Sequence, residues 1–331
     1  LSQQASPLAI AIDLGGTSIK GALIDRSGQI KARQTAVTQV DKGYDAVKEQ
    51  LLGMVATFCA DAGQEQVAGV GIGIPGTLRP GYPEVVTLAP NLHWREKPLG
   101  ADLRREMNLP LVLENDANLA ALGEQWQGAG RGAATVAMIT VGTGIGCGLI
   151  LDGRLHRGIS GAAGEFGHVC VEPEGWRCTC GRQGCLETRA GIGGIVRTAH
   201  DLLAHSDRGS VMRGQELNPK LIFALAARGD ALAAAVVEKT AFYLGWSLAN
   251  LINLLNPERI IIGGGVAAAG EVLLTPLREV VKQMAWPASV ADCALVPAEL
   301  GNQAGMMGAA GAVFQAAATG SRPDKDPTRG K

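Results

Sequence analysis

No charge of one sign dominates this chain: 30 lysines and arginines stand against 31 aspartates and glutamates, a net charge of −1. Polyanions and anionic membrane surfaces recruit proteins through a basic excess, so neither nucleic acid nor membrane is an expected partner. No apolar run is long and uninterrupted enough to span a bilayer. The opening residues, Leu1-Ser-Gln-Gln, carry no basic stretch ahead of an apolar one, so no signal peptide is expected. The seven cysteines are an odd number for a disulfide framework, and their clustering suits a metal in a reducing compartment, with the cytoplasm as the expectation. Two nucleotide-binding strings are also missing. No G-x-x-x-x-G-K-[ST] occurs, which excludes a P-loop NTPase. Gly142-x-Gly144 followed by Ile145-Gly146 sits in a hairpin pattern, a poor fit to a dinucleotide fold.

What is present is glycine, 46 of 331 residues, in a chain that is 47% hydrophobic and 18% charged. Such a chain folds as a well-packed globular protein with many tight turns, and its length suits two domains. The chemistry concentrates between Gly164 and Glu187: G-E-F-G-H, a connector, then C-T-C-G-R-Q-G-C-L-E. Cys178, Cys180, Cys185 and His168 form a Cys₃His donor set, the closed tetrahedral kind that suits zinc. Gly181 and Gly184 let the backbone turn until the three sulfurs face one point. Glu165 and Glu187 flank the set and are not needed by the metal, so both are free to accept hydrogen bonds. On this reading the metal folds a loop on which Glu165, His168 and Glu187 grip a polyol. A zinc knuckle that only holds the loop, or three buried thiols, would leave the same letters. Cys59, Cys147, Cys170 and Cys293 read as packing residues, with Cys170 also a rival ligand through its nearness to His168.

Elsewhere, strands end in glycine turns. Leu8 to Asp13 reads as a buried strand, Leu14-Gly15-Gly16-Thr17 as a turn and Ile19 to Ile24 as the return strand. Backbone N–H groups freed at such a tip form an anion nest, and Asp13 beside it suits holding Mg²⁺ through water near phosphate oxygens. A plain hairpin with a turn aspartate is the alternative. Thr135 to Val141, the run from Gly142 to Gly148, and Leu149 to Gly153 repeat the pattern, so two similar halves would clamp one polyphosphate. Asp41 to Gly63 has helical periodicity, Val67 to Ile74 is a strand followed by the turn Pro75-Gly76-Thr77, and Ala89 to Leu92 is a loop in which Asn91 reads as an ordinary turn residue. Leu111 to Leu113 begins a strand running into Glu114-Asn115-Asp116-Ala117-Asn118, with a helix from about Leu119. Asp116, at a strand end directly before a helix, is placed as a general base or as a helix cap. Asn115 both donates and accepts, which suits a sugar hydroxyl. Ala190 to Ala227 reads as helices with polar loops, and Ala231 to Leu255 as a long helix stopped by Asn256-Pro257. Arg259 to Ile262 is a strand, and Gly263-Gly264-Gly265 a bare turn for adenine or ribose, or simply a tight strand-to-helix turn. Gly301 to Ala318 is a small-residue helix and Ser321 to Lys331 a disordered tail.

D-L-G-G-T, E-N-D-A-N, V-G-T-G-I-G-C-G, the G-E-F-G-H and cysteine string, and I-I-I-G-G-G-V together resemble the signatures of the ROK family of bacterial sugar kinases and sugar-responsive repressors, from Ala9 to about Ala318. G-A-A-G-E-F-G-H and C-x-C-G-x-x-G-C-L-E-T look most like the ATP-dependent glucokinases of that family. The resemblance implies an actin-like (ribonuclease H-like) fold of two α/β domains around a cleft, often in a homodimer. The expected division is 1–117 joined by a helix 303–318, then 118–302, then a tail 319–331. The resemblance also implies phosphoryl transfer from ATP to a hexose, glucose first, with N-acetylmannosamine, N-acetylglucosamine, fructose and allose as alternatives. Asp116 would be the base, and Gly76, Asn91, Asn115, Glu165, His168 and Glu187 would meet the sugar, with His168 binding zinc through its other ring nitrogen. Asp13, Gly15, Gly16, Thr17, Thr140, Gly142, Thr143 and Gly144 would address the phosphates and their Mg²⁺, and Gly264 and Gly265 the nucleoside. Cys147 stands where many relatives have glycine. A repressor of the family needs a DNA-binding domain ahead of the sugar domain, and about seven residues precede the first strand here, so a kinase is the expectation.

Overall fold

The computed structural model describes residues 7–63, 66–79 and 82–319; of the expected tail, all but Thr319 lies outside them. The chain divides into two units, one of 1–131, 155–163 and 302–331, the other of 132–154 and 164–301.

The first unit contains β1 (Leu8–Leu14), β2 (Ser18–Asp25), β3 (Ile30–Val37), α1 (Tyr44–Ala62), β4 (Val67–Ile74), β5 (Thr77–Arg79), β6 (Tyr82–Ala89), β7 (Trp94–Lys97), α2 (Leu99–Glu106), β8 (Leu111–Asn115), α3 (Asp116–Gln127) and a terminal helix, Ala304–Thr319. Its main sheet has the order β3-β2-β1-β4-β8. β2 is antiparallel to β1 and β3, while β4 and β8 run parallel to β1. β1 and β4 are continuous apolar runs because helices cover both faces of such a sheet. Ile10, Ile12, Val70, Ile72 and Ile74 are fully buried, and α1 packs Val47, Leu51, Met54, Val55 and Phe58 into the same core. The edge strand β3 instead alternates half-buried with exposed residues.

The terminal helix is built of small residues for a steric reason. A Cβ on Gly308 would stand 1.7 Å from the Leu119 carbonyl oxygen of α3, and one on Gly123 2.1 Å from that of Ala304. The two helices therefore touch backbone to backbone, and α3 belongs with the first unit. The expected boundary after residue 117 accordingly moves to 131, and the segment 155–163 also joins the first unit.

The second unit contains β9 (Val136–Val141), β10 (Ile145–Leu151), β11 (Arg154–Leu155, whose second residue groups with the first unit), α4 (Glu187–Ala190), α5 (Ile192–Ala204), α6 (Pro219–Ala227), α7 (Ala231–Leu255), β12 (Arg259–Gly263), α8 (Glu271–Met284), α9 (Pro287–Ala291) and β13 (Ala294–Pro297). Its sheet order, β11-β10-β9-β12-β13, repeats the first. β10 is antiparallel to β9, and β12 is parallel to β9 and β13. The weak repeat of glycine-tipped hairpins is thus the trace of a duplicated sheet. The duplication extends to register: Asp13 lies opposite Gly73 of β4, and Thr140 opposite Gly263 of β12.

Two expectations change locally. α3 starts at Asp116 rather than near Leu119, and the loop holding Asn91 is a 3₁₀ turn, Pro90–Leu92. Among the described residues no helix is long and apolar enough to cross a membrane. Substituting Gly308→Val should lower the thermal midpoint, at a cost of about 1–3 kcal/mol or more from forced separation of the two helices. Gly53→Ala, in α1 with nothing within 4 Å of its Cβ position, should be neutral or slightly stabilising in the same melt.

Candidate functional site

In the first unit the sequence-predicted residues gather at the ends of β1, β4 and β8. The β1–β2 tip is closed by the Gly15 N–H donating to the Ser18 carbonyl at 2.9 Å, and the Thr38 hydroxyl donates to the Gly15 carbonyl at 2.7 Å. Thr17 is exposed at the tip. Asn91 rests on Gly16, where an added Cβ would stand 2.8 Å from the Asn91 carbonyl oxygen. Asn115, not Asp116, caps α3: its Oδ1 accepts from the N–H groups of Ala117 and Asn118 at 2.9 and 3.1 Å. Its Nδ2 donates to the Gly76 carbonyl at 3.1 Å, leaving one amide hydrogen for a ligand.

That cap releases Asp116 from structural duty. Asp116 is accessible to solvent, yet the atoms packed around it strip bulk water from its carboxyl and push its pKa up to about 6. The Ala117 N–H, at 2.8 Å, draws the value back, and the Asp13 carboxylate raises it again. Burial also raises the pKa of Asp13, against the pull of Lys20, its cross-strand partner on β2. An accessible carboxyl with a raised pKa is equipped to take a proton near neutral pH.

In the second unit, the β9–β10 tip and the cysteine loop form one construction. The Gly142 N–H donates to the Gly144 carbonyl at 2.9 Å, and the Ile192 N–H donates to the Gly142 carbonyl at 2.9 Å. Thr143 is exposed at this tip, and Thr140 is half-buried on β9. Glu187 Oε2 accepts from the Ile145 N–H at 3.2 Å, and a Cβ on Gly144 would stand 2.6 Å from that oxygen. Glu187 stands outside the donor set: one oxygen is held on the hairpin, and Oε1 lies 3.8 Å from Cys178 Sγ. Glu165 is exposed, with Oε2 4.0 Å from His168 Nε2, too long for a direct hydrogen bond, so both groups retain capacity for a third partner. Gly264 has φ +83°, and a Cβ there would stand 2.4 Å from the Val141 carbonyl oxygen, so the glycine run packs on the residue before the β9–β10 tip. Gly265 has open space at its Cβ position.

The four donors of His168, Cys178, Cys180 and Cys185 all lie within 4.8 Å of one another. His168 Nδ1 is 3.7 Å from Cys178 Sγ, and the sulfurs of Cys180 and Cys185 are 3.6 Å apart. A zinc ion with bonds of about 2.3 Å to sulfur places neighbouring donors roughly 3.7 Å apart, so the residues fit the metal. His168 thus turns Nδ1 to the sulfurs and Nε2 to Glu165. The backbone N–H of Arg182 lowers the Cys180 thiol, while burial and the neighbouring sulfurs push Cys185 up to about 12. A divalent cation would hold all three sulfurs as thiolates. Cys170 is outside this set, its Sγ facing the Gln183 carbonyl at 3.9 Å, and Cys147 is core packing, raised to about 12 by burial. Arg189 pairs with Glu172 and stacks 3.8 Å over Trp176, with Arg197 4.1 Å from the same ring, which braces the connector between histidine and cysteines.

Sequence reasoning passed over Thr38, Lys20 and the Glu114–Arg157 pair. Glu114 alone carried a signal, an acid in the otherwise apolar strand L-V-L-E.

The family described as the ROK family matches residues 9–316. The chain is 39% identical to a glucokinase from Halalkalibacterium halodurans over 90% of this chain and 92% of that one. It is 31% identical to a xylose repressor from Caldicellulosiruptor bescii, over 90% of this chain and 76% of the repressor. Among solved structures, it resembles a ROK family glucokinase from Streptomyces griseus in complex with glucose and AMPPNP, with a TM-score of 0.75 and 36% identity, covering 93% of this chain and 99% of that one.

Purified Cys180→Ser should hold far less than one zinc per chain by elemental analysis, where the parent holds one. Equal metal content in the two would show that the four donors do not form the site.

Proposed function

The chain belongs to the ROK family, and we propose that it transfers the γ-phosphoryl group of Mg·ATP to a hexose, glucose first, with the actin-like two-unit α/β fold of that family's sugar kinases. The observation that carries this reading is Asp116, accessible, relieved of capping by Asn115, and raised to about 6 beside Asp13 and a glycine-tipped hairpin. Asp116 takes the proton of the attacking hydroxyl. Asn115 orients that hydroxyl with its spare amide hydrogen, assisted by Asn91 and the Gly76 backbone. Asp13 holds the nucleotide's Mg²⁺ through water, and the tips Gly15-Gly16-Thr17 and Gly142-Thr143-Gly144 present N–H groups to the phosphates, with Thr140 beside the second and Gly264 and Gly265 at the nucleoside. Glu165, Glu187 and His168 Nε2 accept from or donate to the other sugar hydroxyls. Zinc, when bound to His168, Cys178, Cys180 and Cys185, supplies a fixed positive charge that keeps the sulfurs ionised and the imidazole oriented. The reaction needs the acceptors of the second unit and the base of the first on the same hexose, and that requirement is part of the proposal.

Magnitudes rank the contributions. A general base contributes about 10²–10⁴-fold, whereas orienting two substrates supplies about 7–11 kcal/mol. The sugar grip therefore weighs more than the proton transfer. A sugar-sensing regulator is the second reading, supported by the repressor relative and disfavoured by higher identity to glucokinase. The cytoplasm is the proposed compartment, since a thiol cluster of this kind persists where reductants prevail. A homodimer is proposed from the exposed apolar side chains of the second unit, Phe242 and Trp246 on α7 and Trp286 ahead of α9. A solution mass of one chain by sedimentation would remove it.

ADP release should depend on added sugar, with the highest kcat/KM for glucose among glucose, N-acetylmannosamine, N-acetylglucosamine, fructose and allose. Asp116→Asn should lower kcat by about 10²–10⁴-fold while glucose still binds in calorimetry. The base works ionised, so kcat of the parent should be level above its pKa and fall as the pH drops through about 6. Sugar-independent ADP release, or near-normal turnover in Asp116→Asn, would overturn the assignment.

A further inference from the structure

Glu114 is buried, and the chemistry above makes no use of it. Its Oε1 accepts from the Asn115 N–H and from Asn118 Nδ2, both at 2.9 Å. Its Oε2 accepts from Arg157 Nε at 2.5 Å. A carboxylate withdrawn from water is tolerated only with such partners, and once satisfied it becomes rigid. Here the bonds span both sides of the strand-to-helix turn, Asn115 before Asp116 and Asn118 after it.

Arg157 comes to this turn from elsewhere in the chain. It lies in the segment 155–163, which interrupts the sequence of the second unit yet groups with the first. The Ala163 N–H donates to the Arg157 carbonyl at 3.1 Å and closes the segment on itself. The Arg157 side chain is 51% exposed, so its truncation leaves no void in the core.

We propose that Arg157 is a positioning residue for phosphoryl transfer: by holding Glu114 it fixes the direction in which Asn115 and Asp116 face the sugar hydroxyl. The inference rests on Asp116 as the base. A guanidinium brings a directed Nε–H to the carboxylate, where an ammonium brings only a point charge, so lysine should substitute in part. A misplacement of about 1 Å at a reacting group is enough to cost up to 10²-fold in rate.

The test compares Arg157→Ala, Arg157→Lys, Glu114→Gln and the double variant Arg157→Ala/Glu114→Gln in the full chain, with Asp116→Asn alongside. Arg157→Ala should lower kcat by about 10- to 100-fold with KM for glucose changed by less than about 3-fold. Arg157→Lys should recover part of the loss, and the double variant should be no slower than the worse single variant, because both changes break one linkage. Unchanged kcat, a rise in KM alone, multiplying losses in the double variant, or a loss that matches a fall in folded fraction by circular dichroism would each overturn the inference. Normal turnover in Asp116→Asn removes the base itself. An inactive Asp116→Asn beside a normal Arg157→Ala removes only the role of Arg157.

Discussion

Two carboxyl groups in one water-poor corner repel each other, and the first unit is arranged to hold them there. Asp13 is the penultimate residue of β1 and Asp116 begins α3 after β8, with only β4 between those strands. The β4 residue in register with Asp13 is Gly73, and a Cβ there would stand 3.8 Å from Asp116 Cα. Loss of water and the charge of Asp13 both raise the Asp116 pKa. Lys20 relieves Asp13 from the other side. The unfavourable contact persists because the strands that carry it are anchored by fully buried isoleucines.

The second unit gathers sulfur instead. A cation on the four donors would keep the three sulfurs ionised and hold them together. The loop is also fastened to the hairpin, through Glu187 on the Ile145 N–H and through the bare Gly144 that lets the carboxylate approach. Glu187, the Cys₃His donor set and the β9–β10 tip therefore share one framework. Cys178 Sγ lies against Glu187, and Glu187 in turn holds the Ile145 N–H at the tip.

What could be read from the letters was what is local. The Cys₃His set lies between residues 168 and 185, and the apolar runs of β1, β4 and β9 stand out because both faces are buried. The strands β3 and β5–β7 escaped because an edge strand alternates polar residues and the others are short or interrupted. The start of α3 was placed late because Asp and Asn are both good caps, and only geometry shows that Asn115 does the capping. The pairing of Glu114 with Arg157 joins residues 43 apart, and nothing in either neighbourhood announces the other. The unit boundary was misplaced for the same reason, since α3 is held by a helix from the far end of the chain.

The duplicated sheets differ at one pair of equivalent places. Asp13 and Thr140 occupy equivalent places, each opposite a glycine of the neighbouring parallel strand. One place carries a carboxylate and the other a hydroxyl. On the proposed reading, a second carboxylate at the β9–β10 tip would repel a nucleotide's phosphates. A hydroxyl at Thr140 adds a donor without charge, so on that reading the acid–base and Mg²⁺ chemistry would fall to the first unit. In the second unit the Cys₃His donor set would hold a metal behind His168, ordering the groups proposed to accept from the sugar. A carboxylate against a hydroxyl at equivalent places of two like sheets is the asymmetry on which the proposed division of proton transfer and recognition rests.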